Sequence, residues 1–105
     1  MVVKNIRMDL MYKNINNVVM VNDSLVNVLN IDNRLVYALI SNFECGIDIK
    51  YIHELMESKG WTREDLNNNI NLLLDFKFIE DAGDNVDLEK MKREFESFKN
   101  AISLY

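Results

Sequence analysis

Proline is absent from this chain of 105 residues, and glycine occurs only three times. A Pro-rich or Gly-rich linker is therefore excluded, and the length suits one domain, or a domain with one appended element. The single cysteine, Cys45, rules out a disulfide framework within the chain, and a free thiol suits a reducing cytoplasm, the expected location. His53 is the only histidine. A zinc site would have to borrow two carboxylates, and a Cys/His nucleophile pair would have no third group to orient it. Cys45 thus reads as a small, partly buried side chain and His53 as an exposed helix residue. Gly46, Gly60 and Gly83 stand apart, so no glycine-rich phosphate loop can form. No apolar run approaches the ~20 residues that span a bilayer, and no short hydrophobic block follows a basic start, as an export signal would require. Cations are also scarce. Twelve Lys and Arg face seventeen Asp and Glu, for a formal charge of −5. That balance argues against a protein whose work is gripping phosphates. The residues left point away from an enzyme, a cofactor, a metal, nucleic acid and a membrane.

What is present is apolar material for a core: 49% of the residues are hydrophobic. The acidic stretch from Asp81 to Glu89 lacks the alternating ligands and closing glutamate of a calcium loop, so it reads as a solvated turn. Asn22-Asp23-Ser24 matches a glycosylation sequon but has no secretion signal to give it meaning.

The first third has strand character. Val2 to Met8 and Leu10 to Tyr12 mix apolar and β-branched residues with isolated charges. Val18 to Val21 and Leu25 to Ile31 are two further runs, separated by the turn-forming Asn22-Asp23-Ser24, and together they predict a β-hairpin. From Asp32 the period moves toward 3.6. Asp32 or Asn33 can cap a helix whose apolar face is Leu35, Val36, Leu39, Ile40 and Phe43, stopping near Cys45-Gly46. Asp48 caps a second helix, with Ile49, Ile52, Leu55 and Met56 inward, and Gly60 ends it. Thr62 opens a third, with Glu64 and Asp65 suitably placed in its first turn and Leu66, Ile70 and Leu73 inward. Phe76 to Glu80, a turn at Asp81 to Asp84, and Asn85 to Asp87 predict a small β-wing. In the tail, Leu88, Met91, Phe95, Phe98 and Ile102 recur at steps of three and four on an otherwise charged helix. That stripe either closes the domain or offers a seam to a second copy or a partner enzyme.

The stretch from Val18 to Asp81 resembles the PqqD-like family, also called the RiPP recognition element. The likeness is carried by the strand Leu25 to Asn30 and the helix from Arg34 to Phe43 that follows at once. The short helix Ile49 to Lys59 and the ending Leu72-Leu73-Leu74-Asp75-Phe76-Lys77-Phe78-Ile79-Glu80 complete it. The resemblance implies an α+β, winged-helix-like fold: N-terminal antiparallel β-strands followed by three helices, here with a C-terminal amphipathic helix added. Residues 1–81 would form the peptide-binding domain, and 82–105 the turn and last helix. It also implies a function in natural-product biosynthesis. Such a domain is a non-catalytic peptide chaperone that holds the leader segment of a ribosomally synthesised precursor and presents it to a peptide-modifying enzyme acting in trans.

β-Strand addition needs an unpaired sheet edge free of charged blockers. Leu25, Val26, Asn27, Val28, Leu29 and Asn30 carry no Lys, Glu, Asp or Pro. The other wall of the groove would be the third helix, where Asn67 and Asn71 could bond a peptide backbone and Leu74 and Phe78 could line a hydrophobic pocket. Each has a plainer alternative, a strand fully paired within its sheet and asparagines merely facing water. Two other functions compete. A winged-helix DNA-binding regulator would present the helix from Thr62 to Phe76, whose charge is net negative. An adaptor would act through Leu88, Met91, Phe95, Phe98 and Ile102 on the tail, with a homodimer through that helix as one form of it.

Overall fold

Short apolar runs separated by strong capping signals decide the architecture. The computed structural model describes residues 1–6 and 31–103. The predicted strands beyond residue 6, the hairpin and the candidate edge Leu25 to Asn30 lie outside the described residues. In chain order the elements are β1 (Val2–Asn5), α1 (Ile31–Ser41), β2 (Ile47–Asp48), α2 (Ile49–Glu57), α3 (Arg63–Asp75), β3 (Ile79–Asp81) and α4 (Leu88–Ser103). This is a small α+β domain with a three-stranded antiparallel sheet and four helices.

The strand order is β2-β1-β3. Val3 sits opposite Ile47 on one side and Asp81 on the other, and Asn5 sits opposite Ile79. Residues paired across a ladder share a face, so Val3, Ile47 and Ile79 all point inward and are buried. On the outer face Lys4 meets Glu80 directly across the ladder, 3.4 Å apart. Instead of all preceding the helices, these three strands are interleaved with them. β2 is too short to display a period of two and went unread in the sequence, while β3 overlaps the end of the predicted wing strand Phe76 to Glu80.

Hydrogen bonds fasten β1 to α1. The Tyr37 hydroxyl donates to Asn5 Oδ1 at 2.5 Å, Asn5 Nδ2 donates to Ser41 Oγ at 2.8 Å, and Ser41 Oγ donates to the Tyr37 carbonyl. Tyr37 is buried edge-on to Phe78, with ring centroids 6.2 Å apart. The buried stripe of α1 is Asn33, Val36, Tyr37 and Ile40, with Leu39 and Phe43. Leu35 was expected on it but lies one step round the helix and is 51% exposed. The helix stops at Ser41, earlier than the glycine suggested, because the carbonyls of Leu39 and Ile40 accept from Asn42 and Phe43 in a tightening turn. Gly46 instead serves the sheet. Its φ is +104°, and a Cβ there would lie 2.8 Å from the Val3 carbonyl oxygen.

The caps of α2 and α3 are those the sequence predicts. Asp48 accepts from the Lys50 amide, and the Thr62 hydroxyl accepts from the Asp65 amide, each at 3.1 Å. The predicted wing does not form. β3 pairs with β1, and Asn85 to Asp87 form no strand. Asp81 Oδ1 accepts from the Gly83 amide and Asp87 Oδ1 from the Lys90 amide, so the segment is spent on a turn and on capping α4.

α4 closes the core. Phe95 is 1% exposed and stacks on Tyr51 with centroids 4.5 Å apart, while Phe98 lies 5.5 Å from Phe43. Met91 is buried, and its sulfur accepts from the Asp48 amide at 3.3 Å. Residues 82–103 therefore share one core with the rest of the described chain. None of its helices is long and apolar enough to cross a membrane.

Candidate functional site

α3 is amphipathic, and the middle of its outward face is made of neutral amides, with Arg63, Glu64 and Asp65 exposed at its start and Asp75 at its end. Leu66, Ile70 and Leu73 are buried at spacings of four and three, which fixes the rotation of the helix. Asn67, Asn68 and Asn71 are thereby turned to solvent. Asn69, between them, is half-buried and already committed. It accepts a hydrogen bond from the buried Asn33 of α1 and donates to the Asp65 carbonyl at 2.7 Å.

Asn67 is tied on one side only. Its Oδ1 is 2.8 Å from His53 Nε2, a bond across to α2 in which the imidazole donates, so the Asn67 amide protons stay available. Asn68 and Asn71 make no side-chain hydrogen bond among the described residues. Leu74, one turn beyond Asn71, is half-buried against the core.

Phe78 does not belong to this face. It is fully buried against Tyr37, so it fills the core where the sequence reading had it lining a groove. The cause is the chain reversal after α3. The Phe78 amide donates back to the Leu73 carbonyl, Lys77 takes a positive φ of 59°, and Phe78 is thrown inward under α1.

A cleft of about 400 Å³ opens at the start of α3, lined by Asp32, Lys59, Gly60, Trp61, Asp65, Asn68 and Asn69. Trp61 was missed in the sequence, although it is the only tryptophan and is the single residue between a helix-ending glycine and a helix cap. Gly60 has φ +93°, and the Trp61 amide donates to the Met56 carbonyl at 3.2 Å, which holds the indole half-buried in the joint between α2 and α3. The cleft thus combines one aromatic plane, two amides, two carboxylates and one ammonium group. Its amides can donate and accept hydrogen bonds without changing protonation near neutral pH.

The tail stripe is not open to a partner. Met91 and Phe95 are buried, and Phe98 and Ile102 pack on the same core, so the seam predicted for a second copy or an enzyme is occupied by the molecule itself. Of the five candidate residues only Leu88, at 62% exposure, faces water. The charged side of α4 is also engaged. Lys99 bonds Glu54 at 2.9 Å, which raises its ammonium above the ordinary value. Lys90 lies 3.8 Å from Cys45 Sγ and 3.6 Å from Glu44. Cys45 first, then Glu44 and Glu94, raise it likewise.

Fold and face together define a small α+β domain with a run of exposed amides on α3 beside a cleft that holds Trp61. No protein-family model, curated protein or solved structure matches the chain.

Proposed function

We propose that this is a non-catalytic peptide-binding protein of winged-helix-like, PqqD-like type. It captures the leader segment of a ribosomally synthesised precursor by β-strand addition and presents it to a separate modifying enzyme in the cytoplasm. The observation that carries this reading is the outward face of α3, where Asn67, Asn68 and Asn71 stand exposed and uncharged beside a cleft floored by Trp61. An extended peptide backbone offers alternating donors and acceptors, and an amide side chain answers both. The order α1-β2-α2-α3-β3 supports a winged-helix-like reading, since two helices precede an exposed third that runs straight into a strand. β3 supports strand addition. The Ile6 amide donates to the Phe78 carbonyl and the Ala82 amide to the Val2 carbonyl, so Lys4 and Glu80 fall at a hydrogen-bonded pair of the β1–β3 ladder and the main-chain groups of Ile79 and Asp81 point away from β1.

The DNA-binding alternative is weakened by charge. α3 carries Glu64, Asp65 and Asp75 against Arg63, and that arginine is bound to Glu57 at 3.0 Å. The test is an NMR titration with candidate leader peptides at two salt concentrations. The reading expects saturable shifts at Asn67, Asn71 and the Trp61 indole, nearly unchanged by salt, and also at Leu25 to Asn30. Binding of duplex DNA that collapses as salt rises, with peptides inert, would overturn it.

A further inference from the structure

A second hollow lies between α2 and α4. It measures about 320 Å³ and is lined by Glu54, Leu55, Ser58, Lys59, Phe95, Lys99 and Ile102. Its walls and rim differ in chemistry. Leu55 and Phe95 are buried core residues and Ile102 is packed against them, so the interior is hydrocarbon. The polar groups sit at the mouth. Ser58 turns its hydroxyl proton to the Leu55 carbonyl at 2.5 Å, which leaves no donor to spare. Lys99 spans the opening from α4 to Glu54 on α2. Lys59 is exposed and makes no ion pair among the described residues.

Charge selects the occupant. Lys99 is balanced by Glu54 and also feels the charge of Glu96, so the uncommitted charge at this mouth is the Lys59 ammonium, on a chain whose net charge is −5. A cationic rim over an apolar interior complements a molecule with an anionic head and an apolar tail. The volume sits at the small end of ligand pockets, which suits one short chain and not a folded partner.

We propose that this hollow binds a medium-chain aliphatic carboxylate. The tail lies against Leu55, Phe95 and Ile102, and the head sits between Lys59 and Lys99. The carboxylate competes with Glu54 for the Lys99 ammonium, so binding loosens the strap between the two helices. The site shares Lys59 with the Trp61 cleft, but its apolar walls lie between α2 and α4, so it does not rest on the peptide-binding reading.

The test uses the full chain with hexanoate, octanoate, octylammonium, octanol and acetate, followed by NMR and calorimetry. Octanoate should shift the Leu55 and Ile102 methyls and the Phe95 ring saturably. Its affinity should exceed that of hexanoate, with each buried methylene contributing about fourfold. Octylammonium and acetate should leave those signals still. Lys59→Glu, an exposed change that spares the core, should weaken octanoate roughly tenfold and leave octanol untouched. Ile102→Trp should fill the hollow and abolish binding of both. Equal binding of octanoate and octylammonium, indifference to Lys59→Glu, or shifts that never saturate would each overturn the proposal. A chain-length effect with no response at Leu55 and Ile102 would do the same, because it would place the tail elsewhere.

Discussion

α3 and α4 are built on the same plan and put to different uses. Each buries a stripe at spacings of three and four, Leu66, Ile70 and Leu73 in one and Met91, Phe95 and Phe98 in the other. Their outward faces part company. α4 carries Lys and Glu, and some of these charges tie it to the fold, as Lys99 does to Glu54 and Lys90 to Glu44. α3 keeps its charges, Arg63, Glu64, Asp65 and Asp75, at its two ends and shows neutral amides between them, of which only Asn69 and one end of Asn67 serve the fold. A charged face repels or attracts at a distance and stays hydrated. An amide face is indifferent to charge and recognises only what comes within hydrogen-bonding reach. The comparison teaches that periodicity finds the buried side of a helix, while function is read from which polar groups are left over on the other.

The largest effect should come from testing whether α4 is structural. Phe95→Ala removes a ring stacked on Tyr51 inside the core and should cost about 3–5 kcal/mol, measured as a fall in the urea midpoint at constant slope. Deleting residues 88–105 should abolish cooperative unfolding. A truncated chain that still melts cooperatively, or a Phe95→Ala variant that loses only self-association, would return the tail to the partner seam.

A middle-sized effect tests how α3 is placed. Thr62→Ala removes the hydroxyl that accepts from the Asp65 amide and should cost about 1 kcal/mol. Thr62→Asp should restore the cap, and the pair separates capping from any part Thr62 takes in binding. Recovery of stability in Thr62→Asp without recovery of peptide affinity would show that the cleft reads Thr62 directly.

How far the sequence carried can be judged on these same elements. The caps Asp48 and Thr62, the stop at Gly60 and the stripes of α2, α3 and α4 were legible, because each depends on residues within one or two helical turns. The sheet was legible only in part. β1 lies within the predicted run Val2 to Met8 and β3 overlaps Phe76 to Glu80, but β2 leaves no periodic trace, and the pairing was hidden because Val3 finds Ile47 and Asn5 finds Ile79 from distant points of the chain. Phe78 was misplaced because its direction depends on the reversal at Lys77, a non-glycine residue with positive φ that composition does not announce. Within the candidate site Asn67, Asn71 and Leu74 were found from the helical period. Trp61 was missed because it lies between two helices, where no period applies.

A smaller effect bears on the amide face itself. Asn71 is exposed and bonds nothing among the described residues, so Asn71→Ala should change stability by less than about 0.5 kcal/mol. The same change should weaken peptide binding measurably, while Asn71→Asp should reintroduce salt dependence by placing a charge on the neutral face. If stability falls instead, Asn71 is structural and the contrast between the two helices narrows.

The smallest effect belongs to the polar side of α4 and shows itself in pH. Glu54 accepts a hydrogen bond from Lys99 and carries the opposite charge, and both hold the Lys99 ammonium above its ordinary value of 10.5. A raised folded value means that the contribution to stability is complete below the unfolded value and is lost as pH climbs through the folded one. The gap in stability between the native chain and Lys99→Met should therefore stay constant across neutral pH and close only in the alkaline range. Because both partners are about half exposed, added salt should shrink the gap at every pH. Lys90→Met should follow the same alkaline course, because neighbouring Cys45, Glu44 and Glu94 raise that ammonium too. A gap that closes near neutrality would mean that some other titrating group holds α4 in place. The charged face of α4 would then be as uncommitted to the fold as the amide face of α3.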